Sequence, residues 1–183
     1  MTTILAFAGS NSSTSINRQL VEHAANLAAE AIDGSTITYL DLNDFEMPIF
    51  SQDRQDADGV PEPAQRFFDA IGEADAVIIS LAEHNGGYSV AFKNVYDWAS
   101  RIDMAVYQDK PLLLLATSPG GRGASGVLAT AETSAPFFGA KLQGAISIPS
   151  FYDNFDSEKG ELTDPELEAK LVEGVTALAE AVR

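Results

Sequence analysis

Five short apolar runs, each followed by a stretch with helical spacing, restrict what this chain can fold into more tightly than anything else in it. The runs are Thr3 to Ala8, Thr36 to Asp41, Ala76 to Leu81, Pro111 to Thr117 and Leu142 to Ile148. Most, such as Ala76-Val77-Ile78-Ile79 and Pro111-Leu112-Leu113-Leu114-Leu115, lack polar interruptions, as strands covered on both faces do. They predict a parallel sheet. Between them, Ile16, Leu20, Ala24, Leu27 and Ala31 share one helical face, as do Phe92, Tyr96 and Ala99. Phe67, Phe68 and Ile71 predict a helix after Pro63, Val127 to Phe138 another, and Leu167, Leu171, Val175 and Leu178 a last one opened by Thr163-Asp164-Pro165. His23, among Gln19, Glu22 and Asn26, reads as a solvated residue of the first helix.

Strands alternating with helices give an α/β three-layer sandwich, and a short chain with a five-stranded parallel sheet favours the flavodoxin-like order 2-1-3-4-5. With 183 residues of which 45% are hydrophobic, one core suffices, and residues 1–183 read as a single domain. In that strand order the chain reverses direction between strands one and three. The loops after strands one, three and four then meet at one crevice, where ligands are expected.

Composition removes several kinds of chemistry. The absence of cysteine excludes disulfides, thiolate metal sites and cysteine nucleophiles and suits a reducing, cytoplasmic setting. No basic leader precedes the first strand and no apolar run nears the ~20 residues that cross a bilayer, so no membrane association is expected. A net charge of −16 repels polyanions over most of the surface, which argues against nucleic acid as a partner.

The first of the three loops, Gly9-Ser10-Asn11-Ser12-Ser13-Thr14-Ser15-Ile16-Asn17-Arg18, is dense in hydroxyls and leads straight into a helix. Taken alone it is equally a serine cap or an anion site, since free N–H groups and the helix dipole face the turn. The other two are Ala82-Glu83-His84-Asn85-Gly86-Gly87-Tyr88 and Thr117-Ser118-Pro119-Gly120-Gly121-Arg122-Gly123. Two glycine-bearing loops beside a phosphate-type turn suit a flat, phosphorylated heteroaromatic ligand such as a flavin nucleotide. Gly121 to Gly126 also fits the dinucleotide pattern G-x-G-x-x-G. That pattern wants an acidic residue about 20 positions on to hold the ribose, and Gly139 to Phe151 contains none, so the match reads as accidental.

These residues resemble a known family. Gly9-Ser10 with Ser15-Ile16-Asn17-Arg18, Glu83-x-Asn85-Gly86 with Lys93-Asn94-x-x-Asp97-Trp98, and Lys110-Pro111 with Ser118-Pro119-Gly120-Gly121-Arg122-Gly123 look like the NAD(P)H-dependent FMN reductases. The likeness extends to Asp41-Leu42 and Met47-Pro48-Ile49-Phe50. It implies that Ser10, Ser15 and Asn17 bind the FMN phosphate with the amide of Ile16, and that Ala82, Glu83, His84 and Asn85 border the ring and ribityl chain. Ser118, Gly120 and Gly121 would contact the ring. Where the family carries an arginine in the first loop, this chain has Ser12 and Ser13, so Ser12 joins the phosphate ligands and FMN should bind loosely. Where the family carries an aromatic residue, this chain has His84.

The resemblance further implies hydride transfer from NAD(P)H through FMN to a small-molecule acceptor, either a quinone, an azo compound, a metal oxyanion or free flavin, in ping-pong order and with no catalytic acid or base. The alternative is an acidic electron carrier that holds FMN without oxidising NAD(P)H. Lys93, Asn94, Asp97 and Trp98 would brace the flavin loop or build a homodimer or homotetramer interface. Lys93 and Asp97 read equally well as an i to i+4 ion pair, and Met47 to Phe50 would suit a subunit contact.

Overall fold

The apolar runs become the interior of a parallel sheet in a computed structural model that describes residues 1–183. Its strands are β1 (Thr3–Gly9), β2 (Thr36–Leu40), β3 (Ala76–Leu81), β4 (Pro111–Thr117) and β5 (Lys141–Ile148). Their order is β2-β1-β3-β4-β5, with every neighbouring pair parallel. The expected flavodoxin-like order is therefore observed. β3 is buried at every residue, whereas Thr36, Thr38 and Tyr39 of the edge strand β2 are exposed.

The helices are α1 (Ile16–Ala31), α2 (Gln52–Asp58), α3 (Glu62–Glu73), α4 (Val90–Ala99), α5 (Ser125–Ser134), α6 (Phe151–Asn154) and α7 (Pro165–Ala181). Alternate side chains of each strand point to opposite faces, so the sheet divides the interior into two cores. Ile4, Ala6, Ile78 and Leu113 meet Leu20 and Ala24 of α1 and Leu171 and Leu178 of α7. Leu5, Phe7, Ile79 and Leu114 meet Phe67 and Ile71 of α3, Phe92 of α4 and Val127 of α5. Each of the larger side chains contributes about 1.5–3 kcal/mol by leaving water, which is why the periodic pattern determines the layers. In the second core, burial pushes the phenols of Tyr96 and Tyr107 well above their ordinary value, and their mutual proximity adds to the rise at Tyr96. Their rings stand 5.8 Å apart.

Three features depart from the sequence reading. The stretch from Val127 to Phe138 is not one helix, because Pro136 lacks an N–H and the chain tightens into a 3-10 turn over Ala135–Phe138. The segment between β2 and α3, for which no element was expected, holds the 3-10 turn Leu42–Phe45 and α2. His23 is not solvated: it is 8% exposed, its Nε2 lies 2.8 Å from Glu168 Oε2, and its ring meets the edge of Phe155. Docking of α7 against α1 covers that side of the helix, which local spacing cannot reveal.

Candidate functional site

The carboxyl ends of β1, β3 and β4 converge on a cleft of about 250 Å³, open on its outer side. Ser10, Ser12, Thr14, Ser15, Ile16 and Asn17 form one wall, Ala82, Glu83 and His84 a second, and Thr117, Ser118 and Pro119 a third. Nine of the twelve residues expected at the site thus line one cavity, and Asn85, Gly120 and Gly121 do not.

The hydroxyl-rich turn is ordered by its own side chains. The Ser12 N–H donates to Ser10 Oγ at 3.2 Å, the Thr14 N–H to Ser12 Oγ at 3.3 Å, and the Ser15 N–H to the Ser12 carbonyl at 3.3 Å. Ser15 caps α1, its Oγ accepting from the Arg18 N–H at 3.3 Å. The next two donors, the N–H groups of Ile16 and Asn17, have no acceptor within the chain. Helix starts leave such donors free, and the dipole favours an anion there. The turn is therefore a serine cap that also leaves donors without acceptors.

The Asn17 side chain lies elsewhere. It is 3% exposed; its Oδ1 accepts from the Thr117 N–H at 3.1 Å and from Ser80 Oγ at 2.8 Å, and its Nδ2 donates to the Thr117 carbonyl at 3.2 Å. One buried amide thus joins the start of α1 to the ends of β3 and β4. At the cleft, Asn17 offers its backbone N–H. A second tie comes from buried Ser89, whose hydroxyl donates to the Gly9 carbonyl at 2.7 Å and accepts from the Phe92 N–H at 3.2 Å. The start of α4 is thereby fixed to the end of β1.

Residues Glu83 to Tyr88 form a hairpin rather than an open loop, with Glu83 opposite Tyr88 and His84 opposite Gly87. Asn85 and Gly86 turn it with φ of 53° and 81°, the left-handed pair that a two-residue turn of this type needs. Asn-Gly was the available sequence signal, but the short arms lacked a flanking apolar alternation. The Glu83 carboxylate accepts from the Val127 N–H at 2.8 Å and so caps α5, whose own N-cap, Ala124, has no capping side chain. Glu83 is the one acidic residue lining the cleft, and this bond engages it.

The third wall depends on Gly123. Its φ is 56°, and a Cβ there would lie 2.4 Å from Ser147 Oγ and 2.8 Å from the Pro149 nitrogen. The match to G-x-G-x-x-G therefore has a packing reason, a turn pressed against the end of β5. The segment after β5 is tied to the same loop, since the Ser150 N–H donates to the Gly120 carbonyl at 3.0 Å and the Phe151 N–H to the Ser118 carbonyl at 3.1 Å. Phe151 is fully buried and stacks on Phe155. Its neighbour Tyr152 is 70% exposed and supplies a fourth wall of the cleft. Tyr152 was not among the expected site residues, because nothing local distinguishes it from any other tyrosine in a connection.

The α4 motif braces rather than binds. Asn94 Oδ1 accepts from the Phe50 N–H at 2.9 Å, and its Nδ2 donates to the Met47 and Pro48 carbonyls, each at 3.2 Å. The indole N–H of buried Trp98 also donates to the Pro48 carbonyl, at 2.7 Å. Lys93 and Asp97 form an exposed ion pair at 2.7 Å, worth a few tenths of a kcal/mol. The Arg18 guanidinium is held by Glu22 at 3.0 Å and lies near Asp41 at 3.8 Å, and Arg18 lines an adjacent cavity on the outer side of the Ser10–Ser15 turn. No lysine or arginine lines the cleft.

This donor set, amides and hydroxyls with one engaged carboxylate, fits a phosphate monoester at the turn and a planar ring toward His84, Ser118 and Tyr152. Comparison with known proteins identifies the family. Residues 2–153 match the family described as NADPH-dependent FMN reductase. An NADPH:quinone oxidoreductase of Arabidopsis thaliana is 32% identical over 120 residues, 66% of this chain and 60% of that protein. An NAD(P)H:quinone oxidoreductase of Solanum tuberosum is 28% identical over 175 residues, 92% of this chain and 86% of that protein. The flavoenzyme FerB of Paracoccus denitrificans, an NAD(P)H:(acceptor) oxidoreductase, has a TM-score of 0.76 and 26% identity, covering 100% of this chain and 97% of that one. The chain spans 60% of the length of the Arabidopsis thaliana and Oryza sativa relatives it matches.

Proposed function

The chain belongs to the NADPH-dependent FMN reductase family, and from that premise we propose that it transfers electrons from NAD(P)H, through FMN bound in the cleft, to a small-molecule acceptor of the quinone class. The observation that carries the reading is the acceptor-free pair of N–H groups at Ile16 and Asn17, held by buried hydrogen bonds beside two further loops. When bound, FMN supplies the redox chemistry, taking a hydride from the nicotinamide and handing the electron pair on.

The protein's own part is placement. The hydroxyls of Ser10, Ser12 and Thr14 and the free amides receive the phosphate, and the Asn17 clamp keeps that turn in register with the loops that border the ring. Because no cation lines the cleft and the chain carries a charge of −16, the phosphate is held by dipoles alone, which predicts loose binding. No side chain has to act as acid, base or nucleophile. NAD(P)H meets the bound cofactor from the open side of the cleft and leaves before the acceptor is reduced, so the kinetics are ping-pong. Subunit pairing belongs to the same reading, and a monomeric mass in sedimentation would remove it.

The test is the visible spectrum of the FMN-reconstituted protein before and after NADPH or NADH is added without oxygen. Bleaching of the flavin bands, restored by a quinone, is expected. A protein that holds FMN but is bleached by neither nucleotide is an electron carrier, and one that takes up no FMN is neither.

A further inference from the structure

His84 lines a second cavity as well as the cofactor cleft. That cavity measures about 410 Å³, within the range of small-molecule sites, and is built from different material. Phe45, Met47, Ile49 and Val90 supply apolar lining, Asn94 an amide, and Glu46 the one charged side chain. Ile49 and Val90 are 65% and 67% exposed, a degree of apolar exposure that the fold itself does not require. The segment carrying Met47 and Ile49 is held by Asn94 and Trp98. The nearby cations do not enter the cavity: Arg54 donates to the Ile49 carbonyl, while Arg66 donates to the Asp44 carbonyl at 2.9 Å and pairs with Glu62 at 2.9 Å.

We infer that this cavity seats the electron acceptor, and that it selects neutral, planar acceptors such as unsubstituted quinones over anionic ones such as sulfonated quinones or metal oxyanions. The inference rests on the reductase reading above. Apolar walls take up the ring, the Asn11 side chain, which also lines the cavity, offers an N–H for a carbonyl, and Glu46 with the acidic surface repels a negative substituent. Contact through His84 puts the acceptor beside the cofactor. Reduction of the quinone to hydroquinone consumes two electrons and two protons; the hydride of NAD(P)H brings both electrons and one proton, and solvent brings the other.

Three measurements on the FMN-loaded protein test this. Without NAD(P)H, a neutral naphthoquinone should quench Trp98, the one tryptophan, saturably, since Trp98 is bonded to the segment that lines the cavity. In turnover, Glu46→Lys should raise kcat/KM for a naphthoquinone sulfonate relative to the neutral quinone by about tenfold, the effect of reversing one charge at close range in water, with FMN affinity unchanged. Glu46→Gln should give about a third of that factor. Val90→Phe, which fills the cavity, should raise the KM for the neutral quinone roughly tenfold and abolish the quenching. If the Glu46 and Val90 substitutions all leave acceptor KM values and selectivity at wild-type levels while FMN stays bound and NADPH is oxidised, the cavity is not the acceptor site. A variant that changes only the sedimenting mass overturns the inference too and makes this face a subunit contact. If wild-type protein oxidises NAD(P)H with no quinone at all, the reductase reading itself falls, and the inference with it.

Discussion

The two cavities that meet at His84 are built on opposite plans. The cofactor cleft is made at the ends of regular strands from backbone groups and short hydroxyl side chains, and its position is set by the buried Asn17 amide. The neighbouring cavity is made by an irregular connection, residues 42–50, which buries Leu42 and Phe45, exposes Ile49, and has its Met47 and Pro48 carbonyls pinned by Asn94 and Trp98. The difference teaches where rigidity and adaptability lie. A phosphate needs donors at fixed places, so its site belongs to the ends of the sheet. An apolar ring needs only surface, which a braced loop supplies and which can be altered without disturbing the sheet.

Asn17→Ala should separate the two most sharply. It leaves Ser80 and the Thr117 peptide without partners in a buried place, at a cost of about 3 kcal/mol, read by urea denaturation, and it should abolish FMN retention as the loops lose register. Asn94→Ala is the counterpart on the other side. It should cost about 2 kcal/mol and raise the KM for quinones while leaving FMN affinity within twofold, roughly the resolution of a titration; a comparable loss of FMN would erase the distinction between the sites.

Tyr152→Ala should weaken FMN binding about tenfold if its ring lies against the bound cofactor, the scale of one aromatic stacking contact, with thermal stability unchanged because the side chain is exposed. Ser15→Ala removes the cap of α1 and should cost about 1 kcal/mol together with a measurable loss of FMN affinity. The smallest effect concerns neither cavity. Burial raises the phenols of Tyr96 and Tyr107 above their unfolded value, so the stability they add is present in full at neutral pH. It is lost as pH climbs past about 10, where the unfolded chain releases phenolic protons first. Denaturation midpoints should fall across that range, and less in Tyr96→Phe.

Much of this was legible because it is periodic. β3 and β4 appear with the bounds their apolar runs predict, Ala76–Leu81 and Pro111–Thr117, and the three cleft-lining loops follow from strand order. What escaped was set across long separations. Asn17 carries a phosphate role by resemblance, and only the fold shows its side chain spent on residues 63 and 100 positions away. His23 reads as solvated until α7, 145 residues on, covers it. Glu83 caps a helix that begins 42 residues later, and Tyr152 reaches the cleft because two backbone hydrogen bonds fasten its segment to the Ser118 loop.

By itself the sequence determined the layers, the order of the sheet, the crevice at the ends of β1, β3 and β4, and the cysteine-free chemistry available there. Those follow from hydrophobic spacing, turn residues and composition, which are local properties of a chain. Tertiary structure alone decided which hydroxyls and amides stay free for a ligand and which are consumed in holding the loops together. A hydrogen-bonding group has few partners to give, and where each is spent depends on what the rest of the chain brings within about 3 Å of it.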